Sequence, residues 1–152
     1  MSRDNWVYLK FPSRPQNVAV ARVAAATLAS QLDFSLAEIE EIKVAVSEAV
    51  SNCVIHAYPH GEGPVEMEIR VGDEGFYVAV TDQGQGIADV AQAREPTFTT
   101  SRDPDHLGLG FTFMENFMDA MEVESAPGKG TQVRLWKKPA QVIFRTSSEE
   151  PT

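Results

Sequence analysis

Three polar residues recur at four-residue intervals within SEAVSNCVIH, residues 47–56: Glu48, Asn52 and His56. In an α-helix each step of four drifts only about 40° around the axis, so the three side chains share one face. That face meets either solvent or a bound ligand. Further along, DQGQG (82–86) places Asp82 at a strand end, where Gly84 and Gly86 let the backbone turn sharply or approach a ligand closely. Asp-x-Gly is also ordinary turn chemistry and needs company to count as a site. GLG (108–110) opens a helix, and backbone N–H groups made accessible there by Gly108 and Gly110 form a cradle for phosphate. GKGT (128–131) alone is a hairpin turn entering a strand. In this order the four stretches suit one nucleotide held between a helix face, a strand end and a lid.

Such residues need elements to hold them. WVYLKF (6–11) is rich in β-formers and is stopped by Pro12 and Pro15, which makes it a first strand. The spacing of Val18, Ala21, Ala25 and Leu28 predicts a helix over 16–31, with Arg22 near one edge of its apolar stripe. Ser35 and Glu38 have the form of a capping box, opening a second helix. Its stripe of Ile39, Ile42, Val46, Val50 and Cys53 carries it to Ala57, ahead of Pro59 and Gly61. VEMEIRV (65–71) alternates like a strand with one face buried, and GDEG turns the chain as a four-residue loop into FYVAVTD (76–82). Residues 83–107 lack periodicity and are long for a connection, which marks a lid. Phe111, Met114, Phe117 and Met118 predict a short helix over 111–118, and AMEVES and TQVRLWKK flank a turn at APGKG.

The fold class that follows is α+β: a two-layer sandwich of a mixed, mostly antiparallel sheet with helices on one face. Residues 1–138 form one domain. Residues 139–152, whose one apolar cluster is 142–144, form a poorly ordered extension.

A chain of 152 residues suits a single hydrophobic core. Its 13 Lys and Arg against 22 Asp and Glu give a net charge of −9, which repels a phosphate backbone, and no basic run offsets it. Direct nucleic-acid binding is therefore not expected. Protein partners, or small ligands bringing their own counter-cation, fit better. The single cysteine, Cys53, excludes a disulfide framework and a cysteine-based metal site. MSRDNWVYLKF lacks the basic flank and apolar stretch of a signal peptide, and no window approaches the ~20 apolar residues of a membrane span. The expectation is a cytoplasmic protein without membrane contact.

EAVSN, DQGQG, GLGF and GKGT resemble, in order and spacing, the four nucleotide-binding boxes of the ATPase superfamily that includes gyrase B, the Hsp90 chaperones, histidine kinases and MutL. EIKVAVSEAVSNCVIHAY, EPTFTTSRD and GLGFTFMENFMDAMEVES bring the chain closest to the small serine kinases of the anti-sigma-F factor family. The resemblance spans residues 5–137 and implies an ATP-binding fold of the Bergerat type, with ATP and Mg²⁺ as cofactors. It implies that Asn52 holds Mg²⁺ against the phosphates and that Asp82 accepts a hydrogen bond from the adenine amino group. Gly84 and Gly86 would admit the ring, and Thr131 would support the adenine contact, directly or through water. Gly108 and Gly110 would present N–H groups to the phosphates, and Thr99 and Thr100 would form the lid. Glu48 would be the general base toward a serine hydroxyl on a partner.

The implied activity is dual: sequestering an RNA polymerase sigma factor, sporulation sigma-F by resemblance, and phosphorylating a serine of an anti-anti-sigma protein. The family forms homodimers through the sheet region, and Arg22 would contact protein partners. His56 either lies near the phosphates or simply finishes its helix. One departure stands out. Where the family has an arginine two residues before the glycine pair, this chain has His106, and an imidazole supplies less charge than a guanidinium. Either the phosphate contact is weakened or Arg102 replaces it. Two rival readings are a histidine kinase catalytic domain acting on a histidine, disfavoured because no acceptor helix pair precedes the first helix, and a nucleotide-dependent sigma-binding module without turnover.

Overall fold

The helix carrying Glu48 and Asn52 begins with a reciprocal pair of bonds. In a computed structural model describing residues 4–95 and 107–140, Ser35 Oγ accepts from the Glu38 N–H at 3.1 Å, and Glu38 Oε1 accepts from the Ser35 N–H at 2.8 Å. Two N–H groups that the helix cannot satisfy itself are thereby paired, as the capping box predicts.

The element order is β1 (Asn5–Pro12), α1 (Gln16–Ala29), α2 (Leu36–Asn52), a π-helical turn (Cys53–Ala57), β2 (Pro64–Gly72), β3 (Gly75–Asp82), α3 (Val90–Ala93), α4 (Leu107–Phe117), β4 (Ala120–Ser125) and β5 (Thr131–Lys137). The strands form one sheet in the order β1-β2-β3-β5-β4. All four pairings are antiparallel, so among the described residues the expected mostly antiparallel sheet has no parallel member.

Three local expectations are refined. Gly72 pairs with Gly75, so the β2–β3 hairpin has a two-residue loop, Asp73 and Glu74, rather than four; Gly75 absorbs the turn at φ +95°. The lid segment contains a helical turn, α3, capped by Asp89 Oδ1 accepting from the Gln92 N–H at 3.0 Å. Helix α4 starts at Leu107, so both glycines of GLG lie inside its opening residues instead of preceding it.

The helices cover one face of the sheet. Val65, Met67, Ile69 and Val71 of β2 and Phe76, Val78 and Val80 of β3 alternate inward, none more than 3% exposed, against Ala21, Ala25, Ile42, Val46 and Val50. Each large apolar side chain so buried contributes about 1.5–3 kcal/mol. The opposite face is bare: Trp6 and Tyr8 are 67% and 51% exposed, and Tyr77 meets Trp136 at 5.3 Å between ring centres.

Two contacts fix the helices to the end of the sheet remote from Asp82, where Lys137 pairs with Phe76. Lys137 Nζ donates to the Phe117 carbonyl at 2.5 Å and pairs with Glu41 at 3.3 Å, tying the C-terminus of α4 and the start of α2 to β5. The ammonium also complements the negative end of the α4 dipole. Of the expected extension 139–152 only Pro139 and Ala140 are described, and the Ala140 N–H donates to Glu38 Oε2 at 2.9 Å.

Candidate functional site

Antiparallel register sets three polar residues in one row across the sheet. Asp82 at the end of β3 lies opposite Thr131, the first residue of β5, and Thr131 lies opposite Ser125, the last of β4. Asp82 is 5% exposed, and its Oδ1 accepts from the Gly84 N–H at 2.8 Å. Burial pushes its carboxyl above the ordinary aspartate value, while the N–H groups of Gly84 and Thr131 and the Cys53 thiol pull it partly back. Burial and the facing Asp82 push the Cys53 thiol up in turn, so it stays protonated.

A cavity of about 300 Å³ opens from this row toward α2. Asp82, Thr131, Asn52, Cys53, His56 and Phe111 all line it. His56 reaches the cavity together with Asn52 although the chain has left α-helical pitch at Cys53; such widened turns recur at functional sites. The turn is held by Gln85, whose Nε2 donates to the His56 carbonyl at 2.6 Å and whose N–H donates to the Ala57 carbonyl at 2.8 Å. A larger hollow of about 880 Å³ lies on the bare sheet face near Trp6 and Arg70, and none of the candidate residues lines it.

At the α2 end, α4 comes close. A Cβ added to Gly110 would stand 3.0 Å from Glu48 Oε2 and 3.5 Å from Asn52 Oδ1. Glu48 and Asn52 therefore face the start of α4, whose leading N–H groups, in the turn that holds Gly108, lack intrahelical acceptors. Asn52 Nδ2 is buried with no hydrogen-bond partner among the described residues. A buried amide in that condition is costly unless something else satisfies it.

The structure thus brings Asn52, His56, Asp82, Gly86 and Thr131 to one cavity, with Glu48 and Gly110 at its edge. Gly86 lines the cavity and Gly84 does not, and each makes room for neighbouring backbone. A Cβ on Gly84 would collide with the Ala57 carbonyl, and one on Gly86 with the Ala126 carbonyl, so both glycines admit protein backbone. Gly86 additionally sits at φ +78°. Arg22 lies outside the cavity, half-buried on α1, with Nη1 donating to Ser47 Oγ at 3.3 Å beside Glu48. Thr99, Thr100, Arg102 and His106 lie outside the described residues. Sequence reasoning missed Gln85, Ser125 and Ile87; only Ser125 carried a signal, because the register of the predicted last hairpin places it opposite Thr131.

Comparison with known proteins agrees with this geometry. The histidine kinase-like ATPase domain family matches residues 11–137. An anti-sigma F factor of Caldanaerobacter subterraneus subsp. tengcongensis is 47% identical over 137 residues, 90% of this chain and 96% of that protein. The anti-sigma F factor of Bacillus subtilis is 43% identical over 134 residues, covering 88% and 92%. Among solved structures, the RsbU and RsbW domains of a Mycobacterium tuberculosis protein superpose with a TM-score of 0.64 at 16% identity, covering 91% of this chain and 34% of that one, a likeness of fold. A blue-light activated histidine kinase of Erythrobacter litoralis does so at 0.54 and 19%, covering 80% and 40%. With a family model matching residues 11–137 and relatives at this identity over about 90% of its length, the chain belongs to the anti-sigma F factor family of histidine kinase-like ATPase domains.

Proposed function

We propose that the chain is an anti-sigma factor that sequesters an RNA polymerase sigma factor, with sporulation sigma-F the expected target, and uses MgATP to phosphorylate a serine of an anti-anti-sigma protein. The observation that carries this reading is the approach of Gly110 to Glu48 and Asn52 beside a cavity that Asn52 lines together with Asp82 and Thr131. The 47% identity to an anti-sigma F factor supports the choice of partners.

The residues fit the nucleotide and its cation. Asp82 offers a buried acceptor to an amino group, and the start of α4 offers N–H groups to phosphates. Among the described residues no cluster of three His, Cys, Asp or Glu side chains is placed to cage a metal. A cation here would be shared between Asn52 and the phosphates of the ligand, the habit of Mg²⁺. The unpartnered Asn52 amide suits that task, because a half-turn exchanges its oxygen and nitrogen ends.

ATP would supply the phosphoryl group, the serine oxygen bonding to the γ-phosphorus as the bond to the departing ADP breaks, and Mg²⁺ held by Asn52 would offset the charge on it. Glu48 takes the proton of the partner's serine hydroxyl, its carboxylate kept in place by the flank of α4. Asp82 and Thr131 orient the base, while Phe111 and Ile87 limit water. By resemblance to the family, Thr99 and Thr100 would belong to the lid, and Arg102 or His106 would serve the terminal phosphate. Arg22, anchored to Ser47, contacts the protein partner next to Glu48. The bare sheet face with Trp6 and Tyr8 is the surface for homodimer formation.

Incubation with labelled ATP, Mg²⁺ and an anti-anti-sigma protein tests the reading. Acid-stable phosphate on a serine is the expected product. Acid-labile phosphate would indicate histidine chemistry, and sigma binding without any transfer would indicate a module that works by sequestration alone.

A further inference from the structure

Hydroxyl groups carry one proton and two lone pairs, so three close polar neighbours fully determine what each partner must do. Ser125 Oγ has three. It donates to the Gly130 carbonyl at 2.8 Å, accepts from the Ile87 N–H at 2.8 Å, and lies 2.8 Å from Thr131 Oγ1. Gly130 is buried, and among the described residues Ser125 is the donor at its carbonyl. Moving the serine proton to Thr131 would leave that carbonyl without a donor, a cost larger than a typical hydrogen bond gains. The serine proton therefore stays on Gly130, and the short contact between the two hydroxyls is filled by the proton of Thr131.

From this accounting we infer that Ser125 sets the hydrogen-bonding polarity of the base subsite, by holding the Thr131 proton away from the cavity so that Thr131 acts there as an acceptor only. The inference rests on the reading that the cavity binds ATP. Thr131 stands directly opposite Asp82, whose ionised carboxylate is likewise an acceptor only, and both line the cavity. Two adjacent acceptors fit a group able to give two N–H bonds, which is the exocyclic amino group of a 6-aminopurine. A 6-oxopurine would turn a carbonyl lone pair toward both. Ser125 touches no nucleotide in this arrangement; it is a positioning residue that works through Thr131. The same hydroxyl binds the Ile87 N–H directly after DQGQG, so it also couples the base loop to the last hairpin.

Isothermal titration of the protein with ATP and with inosine triphosphate, each with Mg²⁺, tests the idea through the ratio of the two affinities. Ser125→Ala frees the Thr131 proton to point inward and donate to a 6-oxo group, so the preference for ATP should fall by about tenfold, the size of one hydrogen bond. Ser125→Thr restores the hydroxyl and should restore the wild-type ratio. Adding Thr131→Val to Ser125→Ala should cancel the gained affinity for inosine triphosphate. Should Ser125→Ala not fold, Thr131→Val alone, close in shape, should lower affinity for ATP more than for inosine triphosphate. A purely structural role for Ser125 would weaken both nucleotides equally, and an unchanged ratio in the variants overturns the inference while leaving ATP binding intact. Failure of the wild-type protein to bind either nucleotide would overturn the ATP reading and the inference together.

Discussion

Gly110 in α4 and Glu48 in α2 are so close that a single added methyl group would stand 3.0 Å from the Glu48 carboxylate oxygen. The contact lies between segments more than sixty residues apart and joins the proposed phosphate end of the cavity to the proposed base. Gly110→Ala sets two effects against each other. Alanine favours a helix over glycine by about 0.5–1 kcal/mol, so the melting temperature should hold or rise. The flexible glutamate, however, must give way by a few tenths of an ångström, and because a misplacement of about 1 Å costs on the order of 10²-fold in rate, a several-fold loss of transfer is expected. Thermal melts alongside phosphoryl transfer should show stability kept and activity lowered; unchanged transfer would separate Gly110 from the chemistry.

Glu48→Gln keeps the shape of the side chain but cannot accept the serine proton. Transfer should fall by about 10²-fold or more, the usual contribution of a general base. ATP affinity should stay within a few-fold, since Glu48 is not among the residues lining the cavity. Transfer at the wild-type rate would remove the base assignment.

Asn52→Ala should lose the part of ATP affinity that depends on Mg²⁺, by about tenfold or more, while affinity measured in a chelator changes little. Equal losses with and without the cation would mean that Asn52 only shapes the cavity.

Burial holds the Asp82 carboxyl above the ordinary aspartate range. An amino-group donor needs the ionised form, so ATP binding lowers this pKa and releases a proton. Affinity should therefore be full above the raised value and fall as the pH drops through it, at a higher pH than an exposed aspartate would give. Asp82→Asn should bind ATP about ten- to a hundredfold more weakly and show no such acid limb. Titration of affinity against pH for both proteins checks this.

Gly84→Ala should act on stability. Its Cβ would run into the Ala57 carbonyl, which already accepts from the Gln85 N–H at 2.8 Å, and rigid backbone cannot move aside as Glu48 can. A loss of about 1–3 kcal/mol is expected from denaturant unfolding.

Much of this was legible in the chain itself, where the information is local. Ser35 and Glu38 announced the start of α2, the alternation in 65–71 announced β2, and the spacing of Glu48 and Asn52 placed both on one helix face, because capping and periodicity depend on neighbours a few residues away. Even the row of Asp82, Thr131 and Ser125 was half visible, since the last hairpin pairs Ser125 with Thr131. Tertiary structure decided the rest. Only the strand order β3-β5-β4 sets Asp82 beside Thr131, and only close backbone packing shows that Gly84 and Gly86 make room for Ala57 and Ala126. The turn that carries His56 to the cavity is tied by Gln85, 29 residues away, which donates to its carbonyl. Contacts of this kind follow from how distant segments fill space against each other, and no spacing along the chain records that.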